Sequence, residues 1–545
     1  MFRILSFSLL LIVLLASCMK GEHVDLIIHN AQIHTMNEGM DVADAVAIRD
    51  GKIIEVGPER QILNKYRSDE TIDALGRDVY PGLTDAHGHI FSYANQKMNV
   101  DLVGCKSMNE VVYRCEKYLS RTGKKFIVGR GWDQTLFSSK EMPDYKALSE
   151  KFKNIPVCLY RIDGHAALVN DFLIKKAGIS EWSAVDGGEV QLINGKPSGI
   201  LLDNAMKLVE DFLPKFSKSE WNDKILEVQQ ELFQYGVTGV HEAGIEFEQI
   251  SILKNLIAQN KLNLNIYAML LPTEKNKEFA RKNGPYNFRN LNIRSFKVYA
   301  DGALGSRGAL LKERYADDEH TNGLLLTPIT EIKAISNFCL KNGYQMNTHG
   351  IGDSAISIIL DVCKNAYQVK KDHRFRVEHA QVIDPKDFQK FADNAIFPSV
   401  QPTHAVSDCR WAEERIGKKR MHGAYAYRSL LNQFGMIAIG TDFPVESINP
   451  FLTIHAAVQR KNKQNEPKNG FNMAEAISLD EVMKGMTIWA AFAEFNEAKR
   501  GSIEKGKEAT IVIFDKPLTS NALFIENFAW KTLIRGKIVY EQGEL

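Results

Sequence analysis

Eight short apolar runs, at 83–87, 237–241, 265–270, 295–300, 345–349, 375–379, 396–400 and 436–442, alternate with longer stretches of helical pattern. Each run ends in, or is followed by, polar, glycine or proline residues. Strands that alternate with helices pair in parallel, because the helix carries the chain back to the same end of the sheet. Eight such units are the sequence form of a closed (β/α)8 barrel of the TIM type, an α/β fold. The spacing breaks once. Runs one and two lie roughly 150 residues apart, far more than one βα unit needs. Residues 90–221 are therefore expected to form an inserted subdomain over the C-terminal rim, where βα loops emerge and active sites lie. The insert is the expected site of substrate recognition.

The two chain ends read differently from the middle and like each other. Asp25-Leu26-Ile27-Ile28, Ala45-Val46-Ala47-Ile48 and Ile53-Ile54-Glu55-Val56 are short strands, with Asp50-Gly51 as a hairpin turn. Ala509-Thr510-Ile511-Val512-Ile513-Phe514 and Lys537-Ile538-Val539-Tyr540 repeat that character, the second after a turn at Arg535-Gly536. The expectation is a small composite β-sandwich from 24–80 plus 500–545, leaving 81–89 plus 222–499 for the barrel.

At the N-terminus Arg3 precedes an apolar run over 4–15, too short for a membrane-spanning helix of about 20 residues. Leu15-Ala16-Ser17-Cys18 follows and resembles the lipobox of bacterial lipoproteins. Residues 1–17 are then an export signal and Cys18 the lipidated first residue of a protein anchored to a membrane of the bacterial cell envelope. The other six cysteines have no C-x-x-C spacing, so neither a zinc knuckle nor a redox pair is indicated, and disulfides are permitted without being required. Lys and Arg total 68 against 67 Asp and Glu, with no long block of one sign, which excludes a nucleic-acid footprint and a polybasic membrane patch. The expected partner is a small molecule; barrel helices also permit a homodimer, for which the sequence has no signature.

The strand ends carry the chemistry. Pro81-Gly82-Leu83-Thr84-Asp85-Ala86-His87-Gly88-His89 is an apolar strand ending in two histidines spaced i, i+2, which alternation places on one face. At a barrel strand's end that face points to the axis, where neutral imidazoles suit a borderline ion such as zinc, with Gly88 leaving room for close approach. Alone, the pair is weak. His349, His379 and Asp442 each lie at the C-terminal end of a further run, the position that reads as catalytic in this fold. Any one of them could be a satisfied polar residue at a strand terminus; four such ends together are not explained that way. Run four adds Lys297 inside Ser295-Phe296-Lys297-Val298-Tyr299. An unpaired buried ammonium is costly, so Lys297 is either ion-paired, which the residues by themselves favour, or carboxylated to a carbamate that bridges two cations. His241-Glu242 ends run two on the same rim, as support for a ligand or, for Glu242, as a helix start.

The ordered set of H-x-H, Lys, His, His and Asp on strands one, four, five, six and eight resembles the amidohydrolase superfamily. Gly129-Arg130-Gly131-Trp132-Asp133, Asp163-Gly164-His165-Ala166-Ala167-Leu168-Val169-Asn170, Ala300-Asp301-Gly302-Ala303-Leu304-Gly305-Ser306-Arg307 and Thr441-Asp442-Phe443-Pro444-Val445 are similar to its amidohydrolase 3 branch, which includes N-substituted formamide deformylase-like proteins. The resemblance implies two divalent ions, zinc by type: His87, His89 and Asp442 on the first, His349 and His379 on the second, carboxylated Lys297 between them. It implies hydrolysis of a carbon–nitrogen bond that is not a peptide link, in an amide, N-formyl or N-acyl amine, with Asp442 shuttling the proton. His165 is then expected to donate to the developing oxyanion. Asp301 either orients substrate or caps a turn, the structural role being favoured, and Arg307 and Trp132 are expected pocket residues. Two other readings keep the fold: a mononuclear deaminase-like hydrolase, against which the intact Lys297 argues, and a non-catalytic solute-binding lipoprotein.

Overall fold

The structure is a computed structural model that describes residues 21–214, 216–519 and 524–543. Residues 1–17 and Cys18, read above as signal and anchor, lie outside them. The central sheet runs β1 (Leu83–Gly88), β2 (Val237–Ile245), β3 (Asn265–Leu270), β4 (Leu291–Tyr299), β5 (Gln345–Gly350), β6 (Arg376–His379), β7 (Phe397–Val400) and β8 (Ala438–Ile439), each parallel to the next.

The ring is completed by side chains as well as backbone. The buried Asp85 carboxylate of β1 accepts the Thr441 N–H at 3.0 Å and the Thr441 hydroxyl at 2.6 Å, and the Asp442 N–H donates to His87 O at 2.7 Å. Gly440 makes this approach possible: a Cβ there would stand 2.3 Å from the His87 nitrogen. The run expected at 436–442 is thus a two-residue strand, and Asp442 lies beyond it with φ 64°. The chain leaves the ladder because Thr441 and Asp442 spend their N–H groups on Asp85 and His87 across the seam.

Helices surround the ring through apolar stripes. The helix Lys218–Gln234 starts with a capping box between Ser217 and Glu220 and buries Ile225, Val228, Leu232 and Phe233, a spacing that keeps one face on the barrel. Each fully buried side chain of this kind contributes about 1.5–3 kcal/mol of transfer free energy.

The insert holds a six-stranded mixed sheet in the order Val100–Asp101, Ile127–Trp132, Val157–Arg161, Ala166–Val169, Lys196–Asp203, Gly188–Ile193. Alternation sorts its side chains into two cores: Leu159, Ala166, Leu168 and Ile200 on one face, Cys158, Ala167, Val169 and Leu201 on the other. Segments near the two chain ends pair, with Ile511–Phe514 antiparallel to Asp78–Pro81. A four-stranded and a six-stranded sheet share a core in which Ile28 and Ile48 pack with Ile33, Val79, Ile511 and Leu533. All six described cysteines are free thiols, and no described helix is long and apolar enough to cross a membrane.

Candidate metal centre

Strand alternation on β6 aims Arg376 and Glu378 into the barrel, one above the other. Glu378, fully buried, accepts from His87 Nδ1 at 2.6 Å and pairs with Arg376, Nε to Oε1 2.7 Å. Arg376 is also held by Ala86 O (2.8 Å), Ser399 Oγ (2.9 Å) and His241 Nδ1 (2.9 Å), forming a polar layer under the strand ends. The consequence lies at the other ring nitrogen. With Nδ1 donating to a carboxylate, His87 Nε2 carries the lone pair and faces the cluster.

Asp442 is the centre of that cluster. His89 Nε2 stands 3.2 Å and His87 Nε2 3.7 Å from Oδ1, while His379 Nδ1 is 4.0 Å from Oδ2. His349 joins through ring packing on His379, centroids 4.6 Å apart. Lys297 Nζ lies 3.1 Å from His87 Nε2. The structure therefore brings His87, His89, Lys297, His349, His379 and Asp442 to one place. His379 and Asp442 reach it with φ of 73° and 64°, left-handed backbone that costs a non-glycine residue of order 1 kcal/mol or more and that clusters at functional sites. Gly88 has a second reason to be glycine, since a Cβ there would fall 2.3 Å from the Phe443 ring.

The electrostatics favour cation binding. Burial, then the neighbouring Lys297 charge, lowers His87 to about 4, so its imidazole is neutral. Burial would raise Asp442, yet the His404 hydrogen bond and the approach of His89 hold it well below the usual carboxylate range. Burial lowers Lys297 to about 8. Among the described residues no carboxylate comes within ion-pairing distance of Lys297, whose neighbours are His87 and the Tyr299 ring at 5.1 Å. The ion-paired ammonium favoured by the residues alone is thus not what the structure contains. His379 Nδ1 is buried with no hydrogen-bond partner, and two sets of three donors converge, His87, His89 and Asp442, and His379, His404 and Asp442. Unpaired nitrogen lone pairs beside an ionised carboxylate fit a divalent ion.

His404, on the helix Pro402–Asp408 after β7, did not emerge from the sequence. Its Nε2 donates to Asp442 Oδ2 at 3.0 Å, and Nδ1 faces Glu446 at 3.4 Å. Against burial, these two carboxylates hold His404 well above its ordinary value, so it clamps Asp442 as a donor and, in that state, brings no lone pair to the second of those sets. The only sequence signal was Pro402 at a helix start directly after a strand.

The insert closes over this end and encloses a cavity of about 780 Å³ with the barrel rim. His165 lines it, its Nδ1 bonded to Asp203 at 2.7 Å and its ring 5.7 Å from that of His349. The remaining sequence expectations separate. Asp301, fully buried, accepts the N–H groups of Leu310 (2.8 Å), Ile351 (3.1 Å) and Gly352 (2.8 Å), the structural role favoured for it. Trp132 is not brought to the cavity; it is packed in the insert core with its indole N–H on Leu159 O, because the irregularity at Gly131, with φ 112°, breaks the alternation that would otherwise put it on the face of Arg130. Arg307 also points elsewhere, onto Asp317. Glu242 caps the helix Ile90–Met98 by accepting from Ile90 at 2.5 Å, and His241 belongs to the polar layer.

Fold and site together define a nearly closed parallel barrel with a nitrogen- and oxygen-rich donor cluster at its C-terminal strand ends. A model of the amidohydrolase family matches residues 70–540, and the chain belongs to that family. It is 30% identical over 536 residues to the protein YtcJ of Bacillus subtilis (strain 168), the match covering 94% of this chain and 99% of that one. To the N-substituted formamide deformylase of Arthrobacter pascens it is 24% identical over 516 residues, 90% of this chain and 93% of that one. Among solved structures, an uncharacterized metal-dependent hydrolase from Pyrococcus furiosus is similar with a TM-score of 0.69 at 26% identity, over 90% of this chain and 99% of that one.

Proposed function

We propose that the chain is a metal-dependent hydrolase acting on a non-peptide carbon–nitrogen bond, in an amide, N-formyl or N-acyl amine. The observation that carries this is the convergence on Asp442 of neutral, lone-pair-bearing histidines from separate barrel strands, with a buried His379 nitrogen left without a partner. Two divalent ions of the zinc type are proposed, one with His87, His89 and Asp442, the other with His349 and His379, and Lys297 between them as a carbamate. Bound there, such ions supply a water ionised near neutral pH and a Lewis acid for the scissile carbonyl.

The chain's own groups do the rest. Glu378 fixes the tautomer of His87 and keeps its Nε2 directed at the site. Asp442 accepts the proton of the attacking water and returns it to the departing amine nitrogen, while His404 fixes the carboxylate orientation. His165, held above its ordinary value by Asp203 against the effect of burial, donates from Nε2 to the carbonyl oxygen as negative charge builds there.

Elemental analysis of protein beginning at residue 19 tests this reading. Two zinc-like ions per chain, reduced in Lys297→Ala, and hydrolysis of N-formyl or N-acyl amines are the expected results; protein that takes up no metal and hydrolyses none of them would overturn it. The proposal extends to location: export through residues 1–17 and lipid attachment at Cys18, read out by the mass of the mature N-terminus and its loss in Cys18→Ala. A homodimer remains an expectation that light scattering decides.

A further inference from the structure

Among the described residues, the buried and half-buried charges that line the cavity are ion-paired, hydrogen-bonded or, like Lys297, part of the proposed centre, except for one that the mechanism does not use. Asp133 and Asp163 are both claimed by Arg161, Asp203 by His165, and Glu446 by His404 and Ser407. Arg130, on the insert strand Ile127–Trp132, lines the same cavity with no carboxylate within ion-pairing distance among the described residues. Of its five donors one is used, Nη2 to Ile162 O at 3.1 Å, and Nε is buried without a partner. Gly164, at φ 76°, lets the loop close on the guanidinium, since a Cβ there would stand 2.9 Å from Nη2. The Arg130 charge reaches the metal end, where burial lowers His89 and Arg130 adds a minor contribution in the same direction. Apart from Lys297, the other lining ions without a charged partner among the described residues, Lys207, Glu210 and Lys463, are exposed at the rim.

A guanidinium held half-buried with free donors is a preorganised fork for a planar anion. Leu136, Ile162, Leu304, Ile351 and Val445 supply apolar wall elsewhere on the same cavity. We infer that Arg130 binds a carboxylate of the substrate, so that the substrate class is an N-acylated amino acid with an apolar side chain; this rests on the hydrolase reading above. In such a molecule the carboxylate sits on the carbon bonded to the amide nitrogen, one short step from the scissile bond. Water oxygen bonds to the acyl carbon, the carbon–nitrogen bond breaks, and the nitrogen leaves with a proton from that water, giving a carboxylate and a free amino acid.

The test compares two substrates of like bulk, N-formyl-phenylalanine and the neutral N-formyl-phenethylamine, on metal-replete wild type, Arg130→Met and Arg130→Lys. Wild type should prefer the acid. Arg130→Met should collapse the preference in kcat/KM by about 10- to 100-fold, mostly through KM, and Arg130→Lys should restore part of it. Calorimetric binding of N-methanesulfonyl-phenylalanine, which is not hydrolysed, should weaken in parallel. A preference that Arg130→Met leaves in place, or wild type favouring the neutral substrate, would overturn the inference. Arg130-dependent binding of the sulfonyl compound by protein that takes up no metal and turns over neither substrate would sustain Arg130 as the carboxylate site while sinking the hydrolase reading and, with it, the substrate class. Binding that does not depend on Arg130, or none, would overturn it whether or not turnover is seen.

Discussion

Replacing Glu378 by Gln tests the support beneath the centre. The carboxylate and the His87 imidazole are both fully buried and 2.6 Å apart, and the same carboxylate balances Arg376. Gln keeps the shape but removes the charge, and its amide hydrogens face either the guanidinium or the His87 N–H. Breaking a buried ion pair from one side costs about 3–5 kcal/mol. Here the lower end is expected, about 3 kcal/mol, because Arg376 keeps Ala86 O, Ser399 and His241 as partners. His87 loses the acceptor that fixed its tautomer, and such losses weaken metal affinity about 10- to 100-fold. Competition with a chromophoric chelator measures the affinity, and denaturant melts of chelated protein measure the stability separately. Arg376 and His87 hold Glu378 well below the usual carboxyl range against the effect of burial, so its contribution is present above the unfolded carboxyl pKa and lost as pH falls through the folded value. Wild-type metal affinity in folded Glu378→Gln would refute the assignment of His87 Nε2 as the donor.

Asp442→Asn should lower kcat by at least about 100-fold, since it removes the proton acceptor; kcat/KM on any turned-over formamide checks this. His404→Gln should leave Asp442 without its clamp and flatten the pH–rate profile on the acidic side more than it changes KM. Glu242→Gln should change the pH dependence of stability. Burial raises that carboxyl to about 8, so wild-type stability from this group is full below the unfolded pKa and falls by about 1.4 kcal/mol per pH unit as pH rises toward 8. Melts at pH 5 and 8 should show that slope reduced in the variant, whose side-chain oxygen still accepts from Ile90. Gly440→Ala should destabilise by at least about 1–3 kcal/mol, because its Cβ meets backbone rather than a movable side chain; a melt with wild-type midpoint would refute the account of barrel closure.

Periodicity alone carries the eight-stranded parallel barrel. Eight runs placed within a few residues of β1 to β8, one long gap and two strand-rich ends sufficed, because apolar spacing is a local consequence of which face each element buries. The runs were least accurate at 436–442, where Asp85, far away in sequence, takes the hydrogen bonds of Thr441. The strand-end residues were legible for the same local reason: the C-terminal tip of a barrel strand faces the axis whatever the rest of the chain does. Trp132 and Arg307 were misplaced as pocket residues because a motif names a neighbourhood, and the orientation of each side chain within it depends on which partners surround it.

The chain's local pattern thus determined the barrel, the insert, and the residue types at the strand ends. Only the tertiary structure decided that Glu378 sets the tautomer of His87 across 291 positions, that His404 clamps Asp442, that no carboxylate among the described residues pairs with Lys297, and that Arg130 faces the cavity with free donors. Those are relations between groups brought together by folding, and their energies depend on distance and burial, quantities that spacing along a chain does not contain.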